Sequence, residues 1–227
     1  MANERILNEK RKYDKKYADL VFASNDLKQI LDDKELNKRT FIRKVDDLSN
    51  YVNFLNDLEK EEALESKKGL FSKLFKKEKD VDSEINAYLN RERRESINKL
   101  NYCSNCKCIN CVDKCPFNRC MNCREQEYTY NCDKERYTFT KSEDKVTLYQ
   151  DDTEFIFDVK GYLIEKHEDG SLSRYVYLVD TKNKDNQHLL EYTKFKGEEN
   201  YNSVIEGDDT SKLEELYEKF IEMGLNV

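Results

Sequence analysis

The stretch CSNCKCINCVDKCPFNRCMNCREQEYTYNC, residues 103–132, holds all eight cysteines of a 227-residue chain. Cys103 and Cys106, Cys108 and Cys111, and Cys120 and Cys123 form three C-x2-C knuckles, with Cys115 and Cys132 as two further thiols. A C-x2-C turn lets two thiolates hold one ion while nearby backbone amides point at the sulfurs, and tetrahedral zinc, with Zn–S distances of about 2.3 Å, suits that bite. Eight thiols make two four-coordinate sites. The stretch also has little to fold around: Ile109, Val112, Phe117 and Met121 are its only aliphatic, Met and Phe side chains. These are too few to offset the ordering entropy of the segment, and metal binding would supply the missing free energy. All-sulfur sites are expected, because His167 and His188 lie well downstream. Zinc closed by four protein ligands has no open position for substrate, so the expected role is structural.

The favoured partition puts Cys103, Cys106, Cys120 and Cys123 on one ion, because the interval between these knuckles approaches the loop of a zinc ribbon, and Cys108, Cys111, Cys115 and Cys132 on the other. Only Lys107 separates the first two knuckles, so a binuclear cluster with bridging thiolates is a variant. An iron-sulfur cluster is the alternative cofactor: Cys108, Cys111, Cys115 and Pro116 match the end of a bacterial ferredoxin run, whose first ligand would fall on Asn105. A disulfide scaffold fits the even count. The knuckle spacing opposes it, as does an N-terminus, Met1-Ala2-Asn3-Glu4-Arg5, that lacks the apolar run of a secretory signal.

Upstream, Tyr13, Tyr17, Leu20, Leu27 and Leu31 recur at helical intervals, and Phe41, Val45, Leu48, Val52 and Leu55 step by four and three. With the polar run 32–39 as turn and Thr40 as cap, residues 1–65 read as a helical hairpin or coiled coil, a packing arm and possible homodimer contact. Residues 66–77, SKKGLFSKLFKK, carry five Lys and no acid. In the 66–81 linker, Leu70, Phe71, Leu74 and Phe75 would form one apolar face of a short basic helix, suited to a peripheral membrane surface or a partner's groove. Helix resumes near Asp82, with Ile85, Tyr88, Leu89 and Leu100 as buried positions, and leads into a metal module spanning 82–135. From Arg91 to Arg124 the basic residues Arg91, Arg93, Arg94, Lys99, Lys107, Lys114, Arg119 and Arg124 outnumber Glu92, Glu95 and Asp113. This is the candidate phosphate-facing surface for a nucleic acid, with Tyr102 or Phe117 available to stack on bases.

Residues 136–140, 145–150, 154–159, 161–167, 173–181 and 188–195 are short, rich in β-branched and aromatic side chains, and separated by turn chemistry such as Glu168-Asp169-Gly170-Ser171. They predict an antiparallel meander of five to six strands over 136–227, with a bulge at Gly161. A closing helix at 212–223 would place Leu213, Leu216, Tyr217, Phe220 and Ile221 on one face and stop at Gly224.

Composition excludes several classes. The chain is 38% charged and 37% hydrophobic, with one Pro and six Gly, which rules out collagen-like and Pro-rich disordered readings. Its apolar runs are far shorter than a membrane helix of about 20 residues, and the expected compartment is the cytoplasm. The net charge of −7 is uneven: residues 141–227 carry 11 basic against 21 acidic side chains, an unsuitable nucleic-acid surface. There is no phosphate-cradling Gly-rich loop, no G-x-S-x-G elbow and no H-E-x-x-H, so no enzyme is expected. The sequence therefore predicts an α+β multidomain zinc-binding adaptor or regulator, presenting a basic face to a nucleic-acid or protein partner. An iron-sulfur redox sensor and a membrane-peripheral scaffold are the alternatives.

Overall fold

The computed structural model describes residues 4–67, 80–118, 120, 123, 126–150, 153–205 and 209–225. The chain divides into two compact units, Met1–Ser104 and Asn105–Val227. This differs from the four expected segments, because the helix leading into the cysteines packs with the N-terminal helices, while the cysteine stretch folds with the sheet. Leu70, Phe71, Leu74 and Phe75 lie outside the described residues.

In the first unit, helix α1 (Glu4–Ile30) and helix α3 (Thr40–Lys67) flank a short helix α2 (Asp33–Asn37), whose N-cap Asp32 accepts the Glu35 N–H at 2.9 Å. The α1 and α3 stripes face each other antiparallel, as Lys10 pairs with Glu59 at 2.6 Å, Tyr13 meets Tyr51 edge-on at 5.4 Å and Tyr17 bonds Ser49 at 3.1 Å. Ile6, Tyr13, Leu20 and Leu27 recur every seven residues and are buried, as are Phe41, Val45, Leu48, Val52 and Leu55. Sustained spacing of this kind is what lets one helix face stay closed along its whole length. A buried polar link crosses the seam: the Tyr51 hydroxyl donates to Glu9 at 2.8 Å, and burial followed by that bond pushes the phenol up.

The helix expected from Asp82 is broken in two, α4 (Val81–Tyr88) and α5 (Arg91–Cys103), because Asn90 adopts an extended conformation and caps α5 by accepting the Arg93 N–H at 2.9 Å. Ile85 and Leu100 are buried as expected, while Tyr88 and Leu89 are half-buried. Tyr88 stacks on Phe54 of α3 at 4.2 Å, and α5 is tied to the pair by Lys44 to Ser96 and Lys16 to Asn101.

The second unit is a seven-stranded antiparallel sheet: β1 (Glu127–Cys132), β2 (Tyr137–Ser142), β3 (Lys145–Gln150), β4 (Thr153–Lys166), β5 (Leu172–Asp180), β6 (Gln187–Phe195) and β7 (Glu198–Ser203). Two strands exceed expectation, β1 inside the cysteine stretch and β7, whose sequence EENYNS has weak strand propensity and is recruited by pairing with β6. The expected strands 154–159 and 161–167 fuse into β4, with a bulge between Val159 and Gly161. Gly161 is required there: a Cβ would stand 2.4 Å from the Thr140 carbonyl oxygen and 2.5 Å from the Phe139 ring. The bulge divides the labour along one edge of β4, the half after it pairing with β2 and the half before it with β3. The expected turn at 168–171 closes β4 to β5 with Gly170 at φ +84°.

Helix α6 (Ser211–Glu222) covers one sheet face with Leu216 and Phe220, extended by Met223 and Leu225, against Tyr137, Phe139, Leu163, Tyr175, Tyr177 and Leu189. Gly224, at φ +106°, ends it. Tyr217 and Ile221, expected to be buried, are 41% and 42% exposed, which places them on the flank of the helix. Lys212 also ties α6 to the sheet through the buried Glu165, at 3.2 Å, beside Arg136. Burial opposes ionisation of Glu165, but the Arg136 and Lys212 bonds outweigh it and hold the carboxyl below its ordinary value.

Candidate metal centre

The second sheet face is where the cysteines lie. Phe117, 1% exposed, is buried with Phe157, Val159, Tyr162, Ile164, Val176, Leu178 and Tyr192, and Cys115 and Cys132 pack against the same cluster. The thiol-bearing segment is therefore a strap across the sheet, anchored by one phenylalanine and by β1, the edge strand that carries Cys132.

Beside β1, Cys106 leads into a 3-10 turn (Lys107–Asn110), closed by Ile109 N–H to the Cys106 carbonyl at 3.2 Å. The Cys106 and Cys108 thiols hydrogen-bond each other, and Cys108 also bonds Cys120. Thr129 sends its backbone N–H to Cys106 and its side chain to Cys108. The Cys123 thiol donates to the Glu127 carbonyl at 3.0 Å. The Cys106–Cys108 bond, reinforced by burial, pushes the Cys106 thiol well above its ordinary value. For Cys108 the bond from Cys106 acts downward, but the bond to Cys120 and burial prevail, and the thiol is pushed up to about 12. Crowded, largely shielded sulfurs of this kind ionise more readily beside a cation.

At the far end of β1, the Cys132 sulfur accepts the Lys134 N–H at 3.3 Å and a bond from Thr138. Burial raises its pKa against those donors, and Cys115 lies within electrostatic reach. Lys134 pairs with Asp113 at 2.6 Å and feels both Cys111 and Cys132. Among the described thiols of this unit, Cys106, Cys108 and Cys120 are thus associated with one another, Cys115 lies near Cys132, and Cys123 is held at the Glu127 carbonyl. Cys103 is the last residue of α5, in the helical unit. No three His, Cys, Asp or Glu side chains among the described residues are arranged to hold a metal ion.

The basic candidates separate. Arg91, Arg93, Arg94 and Lys99 belong to the helical unit, Lys107 and Lys114 are exposed in the sheet unit, and Arg119 and Arg124 lie outside the described residues. Arg93 and Arg94 reach back to the Tyr88 and Leu89 carbonyls, both at 3.2 Å, and Arg93 lies over the Tyr88 ring at 4.6 Å. They cap the C-terminal end of α4. Arg91 pairs with Glu95 at 3.0 Å. His167 bonds Ser173 at 2.8 Å beside the hairpin turn, a local strut.

Sequence reasoning missed the polar layer beneath the strap: Glu127, Thr129, Thr138 and Thr140 are all buried, and Thr140 donates to the Glu127 carboxylate. The alternation of Glu127 and Thr129 with Tyr128 and Tyr130 was the available signal. Between α6 and the sheet lies a cavity of about 560 Å³ lined by Tyr177, Leu189, Leu213, Glu214, Tyr217 and Glu218, among others. No helix among the described residues is long and apolar enough to cross a membrane. No protein-family model, curated protein or solved structure matches the chain.

Proposed function

We propose that the chain is a non-enzymatic interaction protein, an adaptor or regulator, in which two structural zinc ions hold the cysteine strap against the sheet. The observation that carries this reading is the set of donors aimed at sulfur along β1: Thr129, in mid-strand, toward Cys106 and Cys108, and the Lys134 N–H and Thr138 toward Cys132 at its end. Such donors stabilise thiolates and recur around zinc knuckles. A protein partner fits better than a nucleic acid, because Arg93 and Arg94 are spent on helix carbonyls. The acidic half of the chain instead offers a cavity walled by Tyr177 and Tyr217 and rimmed by Glu214 and Glu218, a setting for a cationic side chain.

The test is elemental analysis of anaerobically purified protein together with its absorption spectrum. Two zinc per chain in a colourless sample is the expected result. Iron with matching sulfide, absorbing at about 400 nm, would replace zinc with the iron-sulfur reading.

A further inference from the structure

We infer that the cavity between α6 and the sheet is a docking site for an arginine or lysine side chain carried by a basic segment of a protein partner. The inference deepens the interaction-protein reading above and rests on it. It is independent of the metal, because the cavity lies on the α6 face of the sheet and the cysteine strap on the other.

One wall is fixed in advance by the sheet. Tyr177 of β5 is 3% exposed and packs in the core under Leu216 and Phe220, and its hydroxyl donates to the Gln187 side-chain oxygen. The amide nitrogen of Gln187 in turn donates to the Lys184 carbonyl at 2.7 Å. Leu189, paired with Tyr177 across β5 and β6, continues the wall. The other wall is α6, which contributes Leu213, Glu214, Tyr217 and Glu218. The Tyr217 ring stands 6.1 Å from that of Tyr177, tilted by 40°. Residues three and four apart are neighbours on a helix surface, so Glu214, Tyr217, Glu218 and Ile221 form one flank of α6. Its two apolar members are the side chains that the sequence pattern expects to be buried and that the fold leaves exposed.

Charge decides what enters. The lysines that flank these segments are already engaged: Lys184 with Asp158, Lys212 with Glu165 and Glu215, and Lys219 with Glu222. Glu214 and Glu218 have no ion-pair partner among the described residues. Glu214 accepts the Thr210 hydroxyl at 3.1 Å in the first turn of α6, where the helix dipole favours an anion. Glu218 lies in mid-helix, where no cap or dipole calls for one. Two carboxylates over tyrosine rings select a cation, which is attracted to a ring face within about 6 Å of its centroid. The volume of about 560 Å³ is far larger than a bare ion needs and takes a long side chain with its neighbours. A guanidinium both forks onto carboxylates and stacks on aromatic faces, so arginine is the better occupant. The exposed Ile221, one turn beyond Tyr217, extends the apolar surface past the cavity, which a peptide covers and an isolated cation does not. The acidic surplus of residues 141–227 acts in the same direction by drawing in a basic segment.

The test is an amide NMR titration of the full chain with the blocked peptide acetyl-Gly-Arg-Leu-Gly-amide, its glutamate counterpart acetyl-Gly-Glu-Leu-Gly-amide, and N-acetylarginine amide. The arginine peptide should give saturable shifts centred on Leu189, Tyr217 and Glu218, the glutamate peptide none, and N-acetylarginine amide weaker binding. Glu218→Gln should weaken the arginine peptide about threefold, and Glu214→Gln/Glu218→Gln about tenfold. Absent or non-saturable shifts, shifts centred away from α6, or unchanged affinity in the double variant overturn the site. N-acetylarginine amide binding as tightly as the peptide overturns the protein partner and leaves a small organic cation as the occupant. Glu218→Gln removes a charge at constant shape, and the two wild-type peptide arms need no variant at all. Elemental analysis separates this inference from the reading beneath it: a two-zinc protein that ignores the peptide loses the docking site alone, whereas a zinc-free protein that binds it keeps the site and loses the zinc scaffold.

Discussion

The two faces of the β-sheet are covered in different ways. On one, α6 lays down Leu216 and Phe220, each with no measurable exposure, and Met223 and Leu225 follow it. At about 1.5–3 kcal/mol for each large apolar side chain buried, a helix of this kind holds itself in place. On the other face, the cysteine strap contributes Phe117 and the flanks of Cys115 and Cys132, over a layer of buried polar side chains from Glu127, Thr129, Thr138 and Thr140. A strap with one large apolar anchor cannot repay the ordering of its own backbone. The difference teaches that the same sheet is closed by hydrophobic burial on one side and, on the proposed reading, by coordination chemistry on the other.

The largest expected effect comes from removing the metal. Structural zinc contributes an apparent free energy on the order of 10–16 kcal/mol to small zinc domains. Chelation, or acidification that protonates the thiolates, should therefore expose residues 105–126 to limited proteolysis while the helical unit keeps its far-ultraviolet circular dichroism. A strap that stays protected after complete zinc removal breaks the comparison. Next come the apolar anchors: Phe220→Ala should cost about 3–5 kcal/mol in chemical denaturation. Phe117→Ala should cost a similar amount yet leave the zinc content unchanged, which sharpens the distinction between anchor and staple.

Gly161→Ala should cost about 1–3 kcal/mol, because the new methyl meets a backbone oxygen that cannot move without disturbing the β2 to β4 pairing. Glu165→Gln, on the α6 side, should cost about 2 kcal/mol by leaving Arg136 and Lys212 with only the more exposed Glu215 as anion. The sign of its pH dependence follows from a carboxyl held below its ordinary value: Glu165 stabilises the fold above the unfolded-state carboxylate pKa, and that contribution is lost as pH falls through the depressed folded-state value. Denaturation midpoints of the wild type and E165Q should converge in acid; parallel curves would show that the ion pairs contribute nothing.

Much of the secondary structure was legible in the chain. The Phe41-Val45-Leu48-Val52-Leu55 stripe is buried throughout, the hairpin at Gly170 and the bulge at Gly161 fall where turn and bulge chemistry put them, and Gly224 stops α6. These are local signals, each carried by a few neighbouring residues. β7 was illegible because its pairing with β6, not its own propensity, makes it a strand. β1 was hidden by the cysteine pattern that overlies it, and the break at Asn90 was masked by continuous helical periodicity on both sides.

By itself, the sequence determined the composition of the candidate centre: eight thiols in one stretch, too little apolar surface to fold without help, and no histidine nearby. Only the tertiary structure decided how those thiols are distributed. Knuckle spacing fixes which sulfurs can share a turn, a local property. Which turns meet is set by long-range strand pairing, and β1, paired with β2, sets Thr129 in mid-strand beside Cys106 and Cys108 and puts Cys132 at its end.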